Sequence, residues 1–239
     1  MQTILVANPK GGSGKTTLAT NIAGWLAGKR QRVGLQDADP QGSSTQWLSR
    51  RPGLFPSIAG FDADAGKKEM KEVGVEWLVV DSAAGTRGEA LRDAVRRADA
   101  MVVPVSPSSF DMAATADFLR AIAEYKSVRE ANVAVGLVAM RVDARTRAAA
   151  ELDEFLKQFA PAKGRPEPAA PAGGGREAPS GGTYNFPVVT HLRDTQVYVY
   201  CARDGYSVFD LPRSRGEQDW EQWRPLTRWL GKHAAARTS

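Results

Sequence analysis

The chain has 239 residues, of which 42% are hydrophobic and 25% charged, proportions that suit a globular domain with a sizeable core. Its only cysteine, Cys201, excludes an intramolecular disulfide and a cysteine-rich metal site, and no apolar run approaches the roughly 20 residues that a membrane span needs. The formal net charge of +5 permits contact with nucleic acid or anionic lipid without requiring it.

The first run, Thr3 to Ala7, reads as a buried strand and does not look like a signal peptide. Thr17 to Ala27 reads as a helix. Further strands are predicted at Val33 to Leu35, Trp77 to Val80, Ala100 to Val105 and Val133 to Met140. Helices are predicted at Glu89 to Arg97, Met112 to Tyr125 and Arg145 to Phe159. Continuous apolar runs suit strands buried on both faces, and strands separated by helices imply right-handed crossovers and a mostly parallel sheet. Pro161 to Thr183 is rich in Pro, Gly and Ala and lacks large apolar residues, so it reads as a flexible insertion. Phe186 to His191 resumes the sheet, which leaves residues 1–239 as one domain. Near the end, Trp220, Trp223, Leu226, Trp229 and Leu230 fall at helical spacing. The stripe reads as core packing, with Pro225 expected to kink or restart that helix.

The chemistry begins at Lys10 to Thr17, KGGSGKTT. Binding phosphate requires many N–H donors aimed at one place. Gly11, Gly12 and Gly14 let the backbone come close, and a helix starting near Lys15 adds its N-terminal dipole. In this pattern Lys15 reaches the β- and γ-phosphates and the Thr16 hydroxyl ligates Mg²⁺. Ser13 lies within the loop, and Thr17 is expected to help hold the α-phosphate. The fold class that follows is α/β, a P-loop NTPase with a mostly parallel doubly wound sheet flanked by helices.

Position 9 is Pro rather than Gly, and Lys10 precedes the double glycine. That arrangement resembles the deviant Walker A motif of the ParA/MinD family of ATPases. The resemblance implies that Lys10 is a signature lysine that reaches across a dimer interface to the partner's nucleotide. A second cation there would stabilise developing charge. Asp37-Ala38-Asp39-Pro40-Gln41 looks like the family's DxDPQ motif. The resemblance implies that Asp39 positions the attacking water and that Asp37 supports the Mg²⁺ shell. Two carboxylates at spacing two on a strand end are expected to point the same way. Leu78 to Asp81 is a Walker B pattern, with Asp81 holding Mg²⁺ through a water. Ser82-Ala83-Ala84-Gly85 departs from the family's TPPG or TPAG, which implies a more mobile switch loop. Relatives often carry Asn after the fifth strand to read adenine, whereas Met140-Arg141 stand here. Adenine therefore follows from the resemblance and from no residue of this chain.

Val102 to Pro107, Leu192 to Thr195 and Phe209 to Gly216 resemble later family segments, and the short N-terminus resembles that of the small ParA proteins. The resemblance implies an ATP- and Mg²⁺-dependent homodimer with slow hydrolysis that a ParB-like or cargo-adaptor protein stimulates. It further implies non-specific DNA binding, a cytoplasmic, nucleoid-associated location, and partition or positioning of a cargo. DNA contact needs cations on one face, and the candidates are Arg193, Arg213, Arg215, Arg224, Arg228 and Lys232, although Glu217, Asp219 and Glu221 interrupt them. One alternative is a MinD-like membrane cycler, but the tail Trp229 to Ser239 is too weakly apolar to anchor stably. Another is an ATP-dependent ligase of the dethiobiotin synthetase type, against which Lys10 argues.

Overall fold

The structure, a computed structural model, describes residues 1–161 and 185–234. Apart from Pro161, the expected insertion lies outside the described residues, as do the last five residues of the chain.

In chain order the elements begin with β1 (Gln2–Val6), α1 (Lys15–Gly28), β2 (Val33–Asp37), α2 (Ser43–Ser49), β3 (Ala59–Phe61) and α3 (Lys67–Glu72). There follow β4 (Trp77–Asp81), α4 (Gly88–Arg97), β5 (Ala100–Val105), α5 (Ser109–Ala123), α6 (Lys126–Arg129) and β6 (Ala134–Val142). The last are α7 (Arg147–Lys157), β7 (Val188–Arg193), α8 (Gln196–Asp204), a 3₁₀ turn at Val208–Asp210 and α9 (Arg213–His233). The strands form one sheet in the order β3-β2-β4-β1-β5-β6-β7, and every pairing is parallel.

The sheet is buried on both faces, and alternation along each strand divides the core. Ile4 and Val6 of β1 join Leu18, Ile22 and Leu26 of α1 and Trp223, Leu226 and Leu230 of α9 on one face. Leu5 turns to the other, with Leu91 and Val95 of α4 and Leu119 and Ile122 of α5. After β1 the chain moves to one side for β2 to β4 and crosses to the other for β5 to β7. The strand order therefore reverses beside β1, and the loop after β1 sits at that switch point, where open parallel sheets bind ligands.

Three expectations needed revision. β3, α2, α3, the one-turn α6 and the nine-residue α8 were not anticipated. They are short, and α2 (SSTQWLS) buries only Ser44 and Trp47, too little to leave a helical pattern. The helix after the glycine loop starts at Lys15, where the loop motif placed it and two residues before the run that begins at Thr17, because Gly14 takes the left-handed N-cap position at φ 102°. Pro225 neither ends nor restarts α9, which runs for 21 residues through it. Buried Trp223, Leu226 and Leu230 flank the proline and hold the helix to the sheet, and the Thr190 hydroxyl of β7 donates to the Gln222 carbonyl in the disturbed turn.

Candidate phosphate and magnesium site

The glycine loop runs from the end of β1 to the start of α1. Gly12 and Gly14 both have positive φ, 75° and 102°, which only glycine adopts freely. A Cβ on Gly14 would lie 2.8 Å from Met140 Cε of β6, while the space around Gly11 and Gly12 is open. The backbone is thus backed on one side and accessible on the other. Lys15 is only 7% exposed. Its amine donates to the Lys10 carbonyl at 2.9 Å, and the Ser13 hydroxyl donates to the same oxygen at 3.1 Å. Burial lowers the Lys15 pKa, against the pull of Asp81 and Asp39.

Lys10 behaves differently. Its side chain is 40% exposed on the rim of the loop, with Nζ 3.9 Å from Asp111 at the start of α5. The loop's base is fixed by Asn8, a buried residue that the sequence reading passed over. Asn8 accepts from the Lys10 amide at 2.9 Å and donates to the Pro104 carbonyl at 2.8 Å and to Thr115 Oγ1 at 2.9 Å.

The carboxylates arrive from neighbouring strand ends, since Asp37 of β2 pairs in register with Asp81 of β4. Asp81 is 1% exposed. Its Oδ2 accepts from the Ser44 hydroxyl at 2.6 Å, and burial pushes its carboxyl up to about 6 against the hydrogen bonds from Ser44 and Thr16. Ser44, on the unanticipated α2, was also missed. Asp81 Oδ1 is buried without a partner, so one oxygen remains for a cation. Together with the Thr16 hydroxyl it forms a set of hard oxygen donors, which suits Mg²⁺ completed by phosphate oxygens and water. No group of three or more Asp, Glu, His or Cys side chains that could hold a metal ion by itself occurs among the described residues.

Only Asp37 lies on the strand, so the expected alternation does not govern both carboxylates, and the two have separate partners. β2 ends at Asp37, and Asp39 lies in the turn beyond, where strand alternation no longer applies. Asp37 accepts from the Thr45 amide in the first turn of α2 at 2.8 Å and from the Asp39 amide at 3.1 Å. Asp39 accepts from the Gln41 amide at 3.0 Å and from the Ala84 amide at 3.1 Å. The 82–85 loop, expected to be loose, is also tied to the glycine loop by the Gly85 amide, which donates to the Pro9 carbonyl at 2.9 Å.

The six basic candidates lie on or beside β7 and α9, away from this loop in sequence. Three are engaged with carboxylates: Arg193 with Asp219, Arg213 with Glu217 and Arg224 with Glu221. Arg215 and Arg228 are exposed and form no ion pair among the described residues. Lys232 is in the last turn of α9. An open cleft of about 640 Å³, lined by Lys67, Lys71, Arg96, Arg97 and Asp99, opens at the amino ends of the strands, near the start of β1. No described helix is long and apolar enough to cross a membrane.

Among proteins of known sequence, the chain is 34% identical over 149 residues to "Maintenance of carboxysome distribution protein A" of Gloeobacter kilaueensis, covering 60% of this chain and 64% of that protein. It therefore spans less than two thirds of that relative's length. It is 28% identical over 187 residues to the chromosome-partitioning ATPase Soj of Thermus thermophilus, covering 64% of this chain and 75% of that one. Its fold matches the septum site-determining protein MinD of Pyrococcus horikoshii complexed with Mg-ADP. There the TM-score is 0.64 at 14% identity, over 97% of this chain and 96% of that chain. Residues 4–166 match the family described as the CobQ/CobB/MinD/ParA nucleotide binding domain, and the chain belongs to that family.

Proposed function

We propose that this chain is an ATP- and Mg²⁺-dependent switch: it dimerises face to face with ATP bound, associates with DNA without sequence preference, and positions or partitions a cargo. An adaptor protein ends the cycle by stimulating hydrolysis. The observation that carries this reading is the unequal placement of the two loop lysines. Lys15 is buried against its own loop, where it serves the nucleotide of its own subunit. Lys10 is half-exposed on the rim beside Asp111, where a second copy's nucleotide would meet it. Beside its partner Asp111, Phe110 is 84% exposed, an aromatic side chain of the kind that anchors interfaces. Asp39 orients the attacking water, and Thr16 and Asp81, with Asp37 behind them, hold the cation. The relatives named for carboxysome distribution and chromosome partitioning support a positioning role. DNA contact would hold the protein on the nucleoid.

The test is light scattering combined with phosphate release. Asp39→Ala with ATP is expected to be dimeric and inactive. Lys10→Ala is expected to bind ATP as a monomer. A monomeric Asp39→Ala protein at saturating ATP would sink the dimer mechanism.

A further inference from the structure

The residue after Met140, which stands where relatives often carry Asn, occupies an unusual position. Arg141 sits near the end of β6 with φ 52°, a left-handed conformation that side chains with a Cβ seldom adopt. Its guanidinium reaches back over the glycine loop. There Nη2 donates to the Gly12 carbonyl and, at 3.0 Å, to Ser106 Oγ at the end of β5. The Ser106 hydroxyl in turn donates to the Ser13 carbonyl at 3.4 Å. Two consecutive loop carbonyls are therefore held from outside by one short chain of donors.

The consequence follows from peptide geometry. In a trans peptide the C=O and the following N–H point in opposite directions, and the described chain has no cis peptide. Anchoring the Gly12 and Ser13 carbonyls turns the amides of Ser13 and Gly14 the other way, towards the open side of the loop. None of the amides from Gly11 to Gly14 donates to another described group, so they remain available to an anion. Met140 packs against Gly14 from the same strand end, which limits how far the loop can rotate.

We propose that Arg141 is a positioning residue for phosphate binding. It acts through Ser106 and the Gly12 carbonyl to aim the Ser13 and Gly14 amides at the β-phosphate of a nucleoside di- or triphosphate. The proposal rests on the nucleotide-binding reading above and assigns part of its specificity to the end of β6.

The experiment is calorimetric titration of Mg-ADP and of AMP into wild type, Arg141→Met, Arg141→Lys and Ser106→Ala, with the melting point of each ligand-free protein. Arg141→Met keeps the length and removes the donors, and is expected to weaken ADP about tenfold, the scale of one charged hydrogen bond. AMP has no β-phosphate and should bind all four proteins equally. Arg141→Lys should recover most of the ADP affinity, Ser106→Ala should weaken ADP in the same direction, and ligand-free melting should not move. A fifth protein, Arg141→Met combined with Ser106→Ala, should bind ADP no more weakly than Arg141→Met alone, because both act in one network.

Unchanged ADP affinity in Arg141→Met would overturn the proposal. So would an equal loss for AMP, or a melting point that falls in step with affinity. An effect of Arg141→Met with none from Ser106→Ala would point to direct phosphate contact and also overturn it. Failure of the wild type to bind ADP would instead remove the nucleotide reading itself.

Discussion

At the scale of single residues, Asp39 owes part of its setting to the backbone of the 82–85 loop. The resembled pattern carries either proline or alanine at position 84, and proline has no N–H. Because position 84 is alanine, its amide donates to Asp39 at 3.1 Å. Ala84→Pro is expected to leave ATP affinity unchanged and to lower turnover about ten- to a hundredfold, the scale of one hydrogen bond to a charged group. Phosphate release read beside nucleotide titration would check this, and unaltered turnover would deny Asp39 its dependence on the loop. Lys15 allows a complementary prediction. Burial lowers its pKa, so the folded ligand-free state disfavours the charge that the phosphates need. Lys15→Ala should weaken ATP by about 100-fold or more, while the ligand-free variant melts no lower than wild type. A large drop in its melting point would mean that Lys15 holds the loop together by itself.

Among the elements, β7 and α9 act as a pair. Arg193 of β7 grips Asp219 of α9 through two bonds of 2.8 and 3.0 Å, and Asp219 is completely buried. The Arg193 amide also donates to Gln222 at 2.9 Å. Arg193→Ala would leave a buried carboxylate unpaired, which costs about 3 kcal/mol, and urea unfolding should show the loss. A variant of Arg193 that fails to hold DNA therefore says little about DNA contact. A variant as stable as wild type would return Arg193 to the list of available cations. α8 gives a second test of packing. Cys201 is 1% exposed, and burial, reinforced by Asp210, Asp219 and Asp204, pushes its thiol up to about 12. At pH 8 it should be almost wholly protonated and resist a thiol reagent until the protein is unfolded. Rapid modification of native protein would show that α8 opens from the core.

For the molecule as a whole, the nucleotide loop lies at the carboxyl ends of the strands, while the exposed cations are spread over other surfaces. Of the six proposed DNA contacts, Arg215 and Arg228 are exposed and outside the ion pairs of α9. Arg215→Glu with Arg228→Glu should reduce DNA retention and flatten its salt dependence by about two counterions, with ATP-dependent dimerisation intact. The same reversal at Lys67 and Lys71 serves as the comparison. Loss of retention there alone would move the DNA surface to the cleft at the amino ends of the strands. The sequence by itself determined the glycine loop from Lys10 to Thr17, the strands that deliver Asp37 and Asp81, and the two-faced sheet. Those features are written in adjacent residues, as glycine's freedom, proline's limits and the runs of apolar side chains. Only the tertiary structure decided that Asn8 anchors the loop through Thr115, 107 positions away, that Ser44 meets Asp81, and that Arg141 crosses 129 positions to Gly12. It also decided that Asp37 and Asp39 take separate hydrogen-bond partners and that Pro225 stays within a helix. The physical reason is that a hydrogen bond or a packing contact depends on where folding brings two groups, and no local pattern of residues records that distance.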